Sequence, residues 1–155
     1  MPRFFNPEST AAPNGSYSHG VEIPPNARWL YVAGQIPVRP DGSIPSTIEE
    51  QTEAVWTNIK AVLAGAGMGI RDIVKITSFL TRYENFPRFA QVRAGFLDGH
   101  RPASTSVIIS ALAKPEFLVE VEAVAAKAAG PAKAARRVPK RAPRRAAKAK
   151  KRARR

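Results

Sequence analysis

Only two stretches of this chain repeat apolar residues at a helical period, and each is flanked by segments rich in β-branched and aromatic residues. That alternation limits the fold more than any other feature. The first stretch is "STIEEQTEAVWTNIKAVLAGAGM", residues 46–68. Ser46 or Thr47 is placed to cap its start, Glu49 and Glu50 fall in the first turn, and Gly65 and Gly67 close it. Ile48, Val55, Ile59, Val62 and Leu63 recur at helical spacing and define one apolar face. The second stretch is "NFPRFAQVRAGFLDGH", residues 85–100, with Phe89, Val92 and Phe96 at i, i+3 and i+7. Around them lie five strand candidates: "SYSHGVEI" (16–23), "RWLYVAGQIPV" (28–38), "DIVKITSFL" (72–80), "STSVIISAL" (104–112) and "FLVEVEAVA" (117–125). The order β-β-α-β-α-β-β predicts an α+β domain in which two helices cover one face of a sheet of four or more strands. The other face then needs a partner, which predicts a homo-oligomer.

The domain has to be built from residues 1–126. Of the 25 Lys and Arg residues, 14 lie between Lys127 and Arg155, and none of the 12 acidic residues does. Residues 1–126 therefore carry 11 basic and 12 acidic side chains, and the high isoelectric point belongs to the C-terminal segment. That segment has one large apolar residue, Val138, and is interrupted by Pro131, Pro139 and Pro143. It cannot bury enough surface to offset the entropy of ordering and is expected to be a disordered basic tail over 127–155. The chain has no cysteine, which excludes disulfides, Cys-ligated metals and a thiol nucleophile. His19 and His100 lack ligand spacing, so no metal site is expected. No apolar run approaches a membrane span and no leader pattern is evident, so a soluble, cytoplasmic protein is expected.

Two segments look like the walls of a pocket. In "LVEVEAVA", residues 118–125, Glu120 and Glu122 are two apart and share one side of an extended chain. "RPASTSVIIS", residues 101–110, is apolar with small hydroxyl residues at its start. If the two strands lie side by side, Ser104 faces Glu120. A pocket for a small acid wants a cation on the first wall, and Ser104, Thr105 and Ser106 stand there instead. Arg101 lies about 10 Å of extended chain from Ser104 and reads as a solvated loop residue.

The set "GSYSHGV", "YVAGQIPV", "EEQTEAVWTNIKAVLAGAGMGIRDIVKITSFL", "RPASTSVIISAL" and "LVEVEAVA" resembles the RidA (YjgF-like) family of reactive-intermediate deaminases over most of residues 14–125. The resemblance implies a RidA-like, chorismate-mutase-like mixed sheet backed by two helices, assembled as a homotrimer with clefts at subunit interfaces. It also implies hydrolysis of small enamine or imine substrates to carbonyl compounds and ammonia, with no metal or bound cofactor. Older descriptions of the family include endoribonuclease and translation inhibitor. By this resemblance Glu120 positions or activates the attacking water, Tyr17 lines the cleft, and the backbone at Gly34 and Ser106 holds substrate. In active members an Arg follows Pro-Ala and pairs with the substrate carboxylate; here Ser104 follows Pro102-Ala103. A hydroxyl donates one neutral hydrogen bond where a guanidinium donates a charged fork. The substrate is therefore expected to be altered. Ala90 stands where many members carry a cleft-facing Asn.

The tail clusters its charge in Arg136-Arg137, Lys140-Arg141, Arg144-Arg145 and Lys150-Lys151-Arg152. This spacing, without aromatic residues to stack on bases, suits DNA or RNA bound through phosphates with little sequence preference and strong salt dependence. Another polyanion is the second reading, and a solubilising tail the bland one. Two functions stay open on the sequence. One is an imine or enamine hydrolase. The other is a weak or inactive trimeric scaffold that its tail tethers to nucleic acid, associated with the nucleoid.

Overall fold

The computed structural model describes residues 1–128. The basic segment 129–155, with every tail residue named above except Lys127, lies outside them. The expected architecture is present. Strands β1 (Arg3–Phe5), β2 (Gly20–Glu22) and β3 (Ala27–Gln35) are followed by helix α1 (Ile48–Gly65), β4 (Ile73–Leu80), α2 (Phe86–Leu97), β5 (Ala103–Ile108) and β6 (Val119–Ala128). The main sheet is mixed, in the order β3-β6-β4-β5, and β1 pairs with β2 as a separate antiparallel ribbon. β5 runs parallel to β4, which requires a crossover, and α2 supplies it. The order is thus the predicted one with a short leading strand added. β6 continues through Ala128, and Lys127 on it donates to the Gly67 carbonyl at 2.9 Å.

Helix α1 starts where Thr47 accepts from the Glu50 amide at 3.3 Å and donates to the Glu50 carboxylate at 3.0 Å. Such a cap stabilises a helix by about 1 kcal/mol. Ile48, Val55, Trp56, Ile59 and Leu63 are buried, whereas Val62 turns towards solvent. They pack on the helix-facing side of β6 and β4: Val119, Val121, Ala123 and Ala125 with Ile73, Ile76 and Leu80. Fully burying each large aliphatic side chain stabilises the fold by roughly 1.5–3 kcal/mol.

Buried polar groups lock this layer in register. The Gln51 amide donates to the Pro45 and Glu116 carbonyls at 2.8 Å each, and its oxygen accepts from the Leu118 amide at 2.8 Å. That clamp fixes the entry to β6. Asn58 donates to the Ile36 and Val38 carbonyls at 3.2 and 3.0 Å and fixes the exit from β3. His100 is buried, with Nε2 2.7 Å from the Ile73 carbonyl and its ring edge-on to Phe4. It ties the end of α2 to the start of β4. The second helix departs from its expected face: Phe89, Arg93 and Leu97 are its buried residues, while Val92 and Phe96 are half-buried.

The sheet's far face is not covered by helices. Trp29 and Tyr31 on β3 are 50% and 77% exposed there. Among the described residues no helix is long and apolar enough to cross a membrane.

Candidate active site

The two suspected walls are not neighbours. β4 lies between β5 and β6, because the parallel crossover seats β5 on one edge of β4 while β6 returns antiparallel on the other. They also present opposite faces. Ser104 and Ser106 are in register with the buried Ile76 and Ser78, on the side of the helices. Glu120 is in register with Phe79 and alternates with the buried Val119 and Val121, so it points to the uncovered face. Within one chain Ser104 does not face Glu120.

On the uncovered face Glu120 is half-buried and forms no side-chain hydrogen bond or ion pair among the described residues. Its carboxylate lies over Gly34, so that a Cβ built on Gly34 would overlap it. The approach depends on an irregularity: the β3–β6 ladder breaks between Val32 and Gln35, lifting Ala33 and Gly34 out of pairing. Glu122 is exposed, in register with Thr77. Beside it, Lys75 hydrogen-bonds Thr105 Oγ1. Burial holds the Lys75 ammonium below the ordinary lysine value, and the Glu122 charge opposes that shift.

The helix-facing side of β5 holds the second group. The segment before β2 runs along the outer edge of β5, where Ser18 bridges Ala103. Its amide donates to the Pro102 carbonyl at 3.1 Å and its hydroxyl to the Arg101 carbonyl at 2.7 Å. This pins Tyr17, which stacks on His19 with centroids 5.7 Å apart. Tyr17, Ala90, Arg93, Ser104 and Ser106 line one cavity of about 450 Å³. Ala90 faces this cavity.

The cation that the sequence reading missed is here. Arg93 Nη1 donates to Ser104 Oγ at 3.1 Å, and the guanidinium sits 5.5 Å above the Phe89 ring. Arg101, the other candidate, is exposed and does not line the cavity. Burial draws the Arg93 value down from the ordinary arginine one, but a guanidinium stays protonated in proteins. The signal was available in the sequence: Phe89, Arg93 and Leu97 form an i, i+4, i+8 stripe with an arginine at its centre.

The predicted residues thus fall into two sets. Tyr17, Ser104 and Ser106 come together, and Glu120 with Gly34 come together, on opposite sides of the sheet. Among the described residues no cluster of His, Asp and Glu has the arrangement of a metal site.

A mixed sheet with two helices on one face belongs to the Rid class of folds. The family described as "Endoribonuclease L-PSP" matches residues 8–127, and the chain belongs to it. A RutC family protein of Pyrococcus abyssi is 35% identical over 122 residues, which span 77% of this chain and 93% of the relative. The Escherichia coli protein named "Putative reactive intermediate deaminase TdcF" is 33% identical over 128 residues, 79% of this chain and 96% of its own. Among solved structures, the Rid-family protein YyfB of Yersinia pestis superposes with a TM-score of 0.70 at 35% identity, covering 80% of this chain and 97% of that one. E. coli TdcF with bound serine superposes with a TM-score of 0.62 at 29% identity, covering 81% and 98%. The names in the family point to reactive-intermediate deamination or endoribonuclease-like activity.

Proposed function

We propose that this chain hydrolyses reactive imines and enamines to a carbonyl compound and ammonia, in clefts completed by a neighbouring copy of the chain. The observation that carries this reading is the half-buried Glu120 carboxylate laid over Gly34 without a side-chain partner among the described residues. A carboxylate so placed is an acceptor for a water proton. In the proposed step, water adds its oxygen to the imine carbon as Glu120 takes the water proton. The C=N pair of electrons moves to nitrogen, which is protonated. The resulting carbinolamine passes its hydroxyl proton to the amine nitrogen and expels ammonia as the C=O bond forms. An enamine enters after protonation at carbon to the imine. Tyr17, Ser104, Ser106 and the Gly34 backbone hold the substrate, and no metal or organic cofactor takes part.

Oppositely facing walls are compatible with one site if two chains share it, each giving one face. The homotrimer that the family resemblance implies would bring the Glu120 face of one chain to the Ser104 edge of the next. The serine bound in TdcF is a small amino acid, of the size and polarity this reading requires. Because a hydroxyl at Ser104 replaces the strand-borne guanidinium of active members, the substrate is held differently from theirs. Ammonia release from a panel of freshly generated imines tests the reading. The wild type is expected to accelerate release, and a rate left unchanged by Glu120→Gln would refute the assignment.

A second reading rests on the 14 basic residues after residue 126. There the domain is a weak or inactive scaffold delivered to DNA or RNA by its tail, nucleoid-associated if the ligand is DNA. Gel shifts of the full chain against a 1–128 truncation separate the cases. Equal, salt-insensitive binding by both would end this reading.

A further inference from the structure

We infer that Arg93 is the anion anchor of the cleft, and that it holds the carboxylate of an imino or oxo acid from the α2 wall instead of from strand β5. The inference rests on the hydrolase reading for the identity of the ligand as substrate, and on helix α2 for the anchor. Arg93 is 6% exposed, in the middle of the buried stripe of α2. A buried cation is normally paired. This one makes no ion pair among the described residues, and its sole hydrogen bond goes to Ser104 Oγ. Among the described residues Nε is buried without a hydrogen-bond partner. Five N–H donors are thus served by one neutral acceptor and the face of Phe89.

The surroundings fit an anion. Among the described residues no acidic side chain lines the cavity that Arg93 shares with Tyr17, Ser104 and Ser106. Small residues, Gly15, Ala90 and the two serines, leave its volume of about 450 Å³ available. Ser104, short enough to leave room for the guanidinium, also orients it. The missing charge of one wall therefore reappears on the opposite wall, bonded to the side chain that stands in its place. A guanidinium matches a carboxylate through paired N–H donors. The acid group of the substrate lies against α2, over Ser104, and the reacting carbon points away from the helix towards the Glu120 face of the neighbouring chain.

Binding, measured apart from turnover, tests this. The full-length protein is titrated with 2-oxobutanoate and with its methyl ester by calorimetry, and melted in the presence of each. The wild type is expected to bind the acid and not the ester, and the acid raises its melting temperature. Arg93→Met is expected to bind the acid at least about thirtyfold more weakly. It should melt no lower than wild type without ligand, because it removes a buried unpaired charge. Arg93→Lys keeps the charge but not the fork; it is expected to retain preference for the acid over the ester at reduced affinity. Acid binding by Arg93→Met equal to wild type, or equal affinity of the wild type for acid and ester, would overturn the anchor. Glu120→Gln is expected to bind the acid like wild type. If that variant also keeps full hydrolytic activity while Arg93→Met loses acid binding, the hydrolase assignment of Glu120 fails and the anchor stands.

Discussion

Gly34→Ala isolates the placement of Glu120 from its chemistry. The backbone of Gly34 is outside the left-handed region, so alanine adopts it without strain. The new methyl group meets the Glu120 carboxylate first and its Cγ methylene next. To restore an ordinary contact the carboxylate must retreat by more than about 1 Å. A misplacement of that size in a reacting group lowers turnover on the order of 100-fold. The fold loses less: Glu120 is only half-buried and has an open face to swing into, so the cost lies near the lower end of the ~1–3 kcal/mol typical of overpacking. The assay is steady-state ammonia release by Gly34→Ala, Glu120→Gln and the double variant, with urea melts alongside. The expected pattern is a large loss of kcat in each single variant and no further loss in the double one. Such non-additivity marks one residue acting through the other. A Gly34→Ala kcat within a few-fold of wild type, with Glu120→Gln inactive, would refute the claim that the carboxylate must lie over that glycine.

Gln51→Ala should lower stability by about 2–4 kcal/mol in denaturant melts, because it strands the Leu118 amide and two carbonyls in the interior. It should also loosen β6 and so slow turnover without altering acid affinity. Lys75 carries a pH signature. Its folded value lies below the unfolded one, so folding disfavours the charged form. That cost is fully present below the lowered folded value and disappears as pH rises past the ordinary lysine value. The stability advantage of Lys75→Met over wild type is therefore expected at neutral pH and should shrink in alkaline melts. Replacing both Trp29 and Tyr31 by serine on the uncovered face is expected to shift size-exclusion elution towards the monomer while the far-ultraviolet spectrum is retained.

The layers of the fold were legible because period reports burial. Ile48, Val55, Ile59 and Leu63 are buried as their spacing requires, and the alternation of Val119, Glu120, Val121 and Glu122 separates core from open face. Val62 was misplaced because it lies at the margin of the α1 stripe. The error in α2 is more instructive. Phe89, Val92 and Phe96 look like a face, but Phe96 stacks on Trp56 at the seam between the helices, with centroids 6.0 Å apart. The stripe that points to the sheet runs through Arg93, and a rule that sends arginine to solvent hides it. Strand β1 has only three residues and no period to read. The separation of Ser104 from Glu120 depends on strand order, which pattern alone does not carry. The contact of Gly34 with Glu120 depends on a break in the β3–β6 ladder, set by register and not by either residue's type.

Opposite faces make a sharp demand on assembly. On the proposed reading, Glu120 and Arg93 of one chain serve different clefts, and each cleft takes one from each of two chains. Two impaired variants then complement each other. In a ring assembled at random from equal amounts of Glu120→Gln and Arg93→Met chains, about one cleft in four receives Glu120 from an Arg93→Met chain and Arg93 from a Glu120→Gln chain. Such a cleft is intact. The mixture, unfolded and refolded together, is expected to recover about a quarter of wild-type ammonia release on an imino acid kept below KM, while each variant alone stays low. Mixing the folded proteins without exchange should recover nothing, which controls for a simple sum of residual activities. If both residues acted within one chain, no cleft in the refolded mixture would be whole and the recovery would vanish. Activity in the mixture no higher than the average of the two variants would therefore refute the shared cleft, whatever each residue does individually.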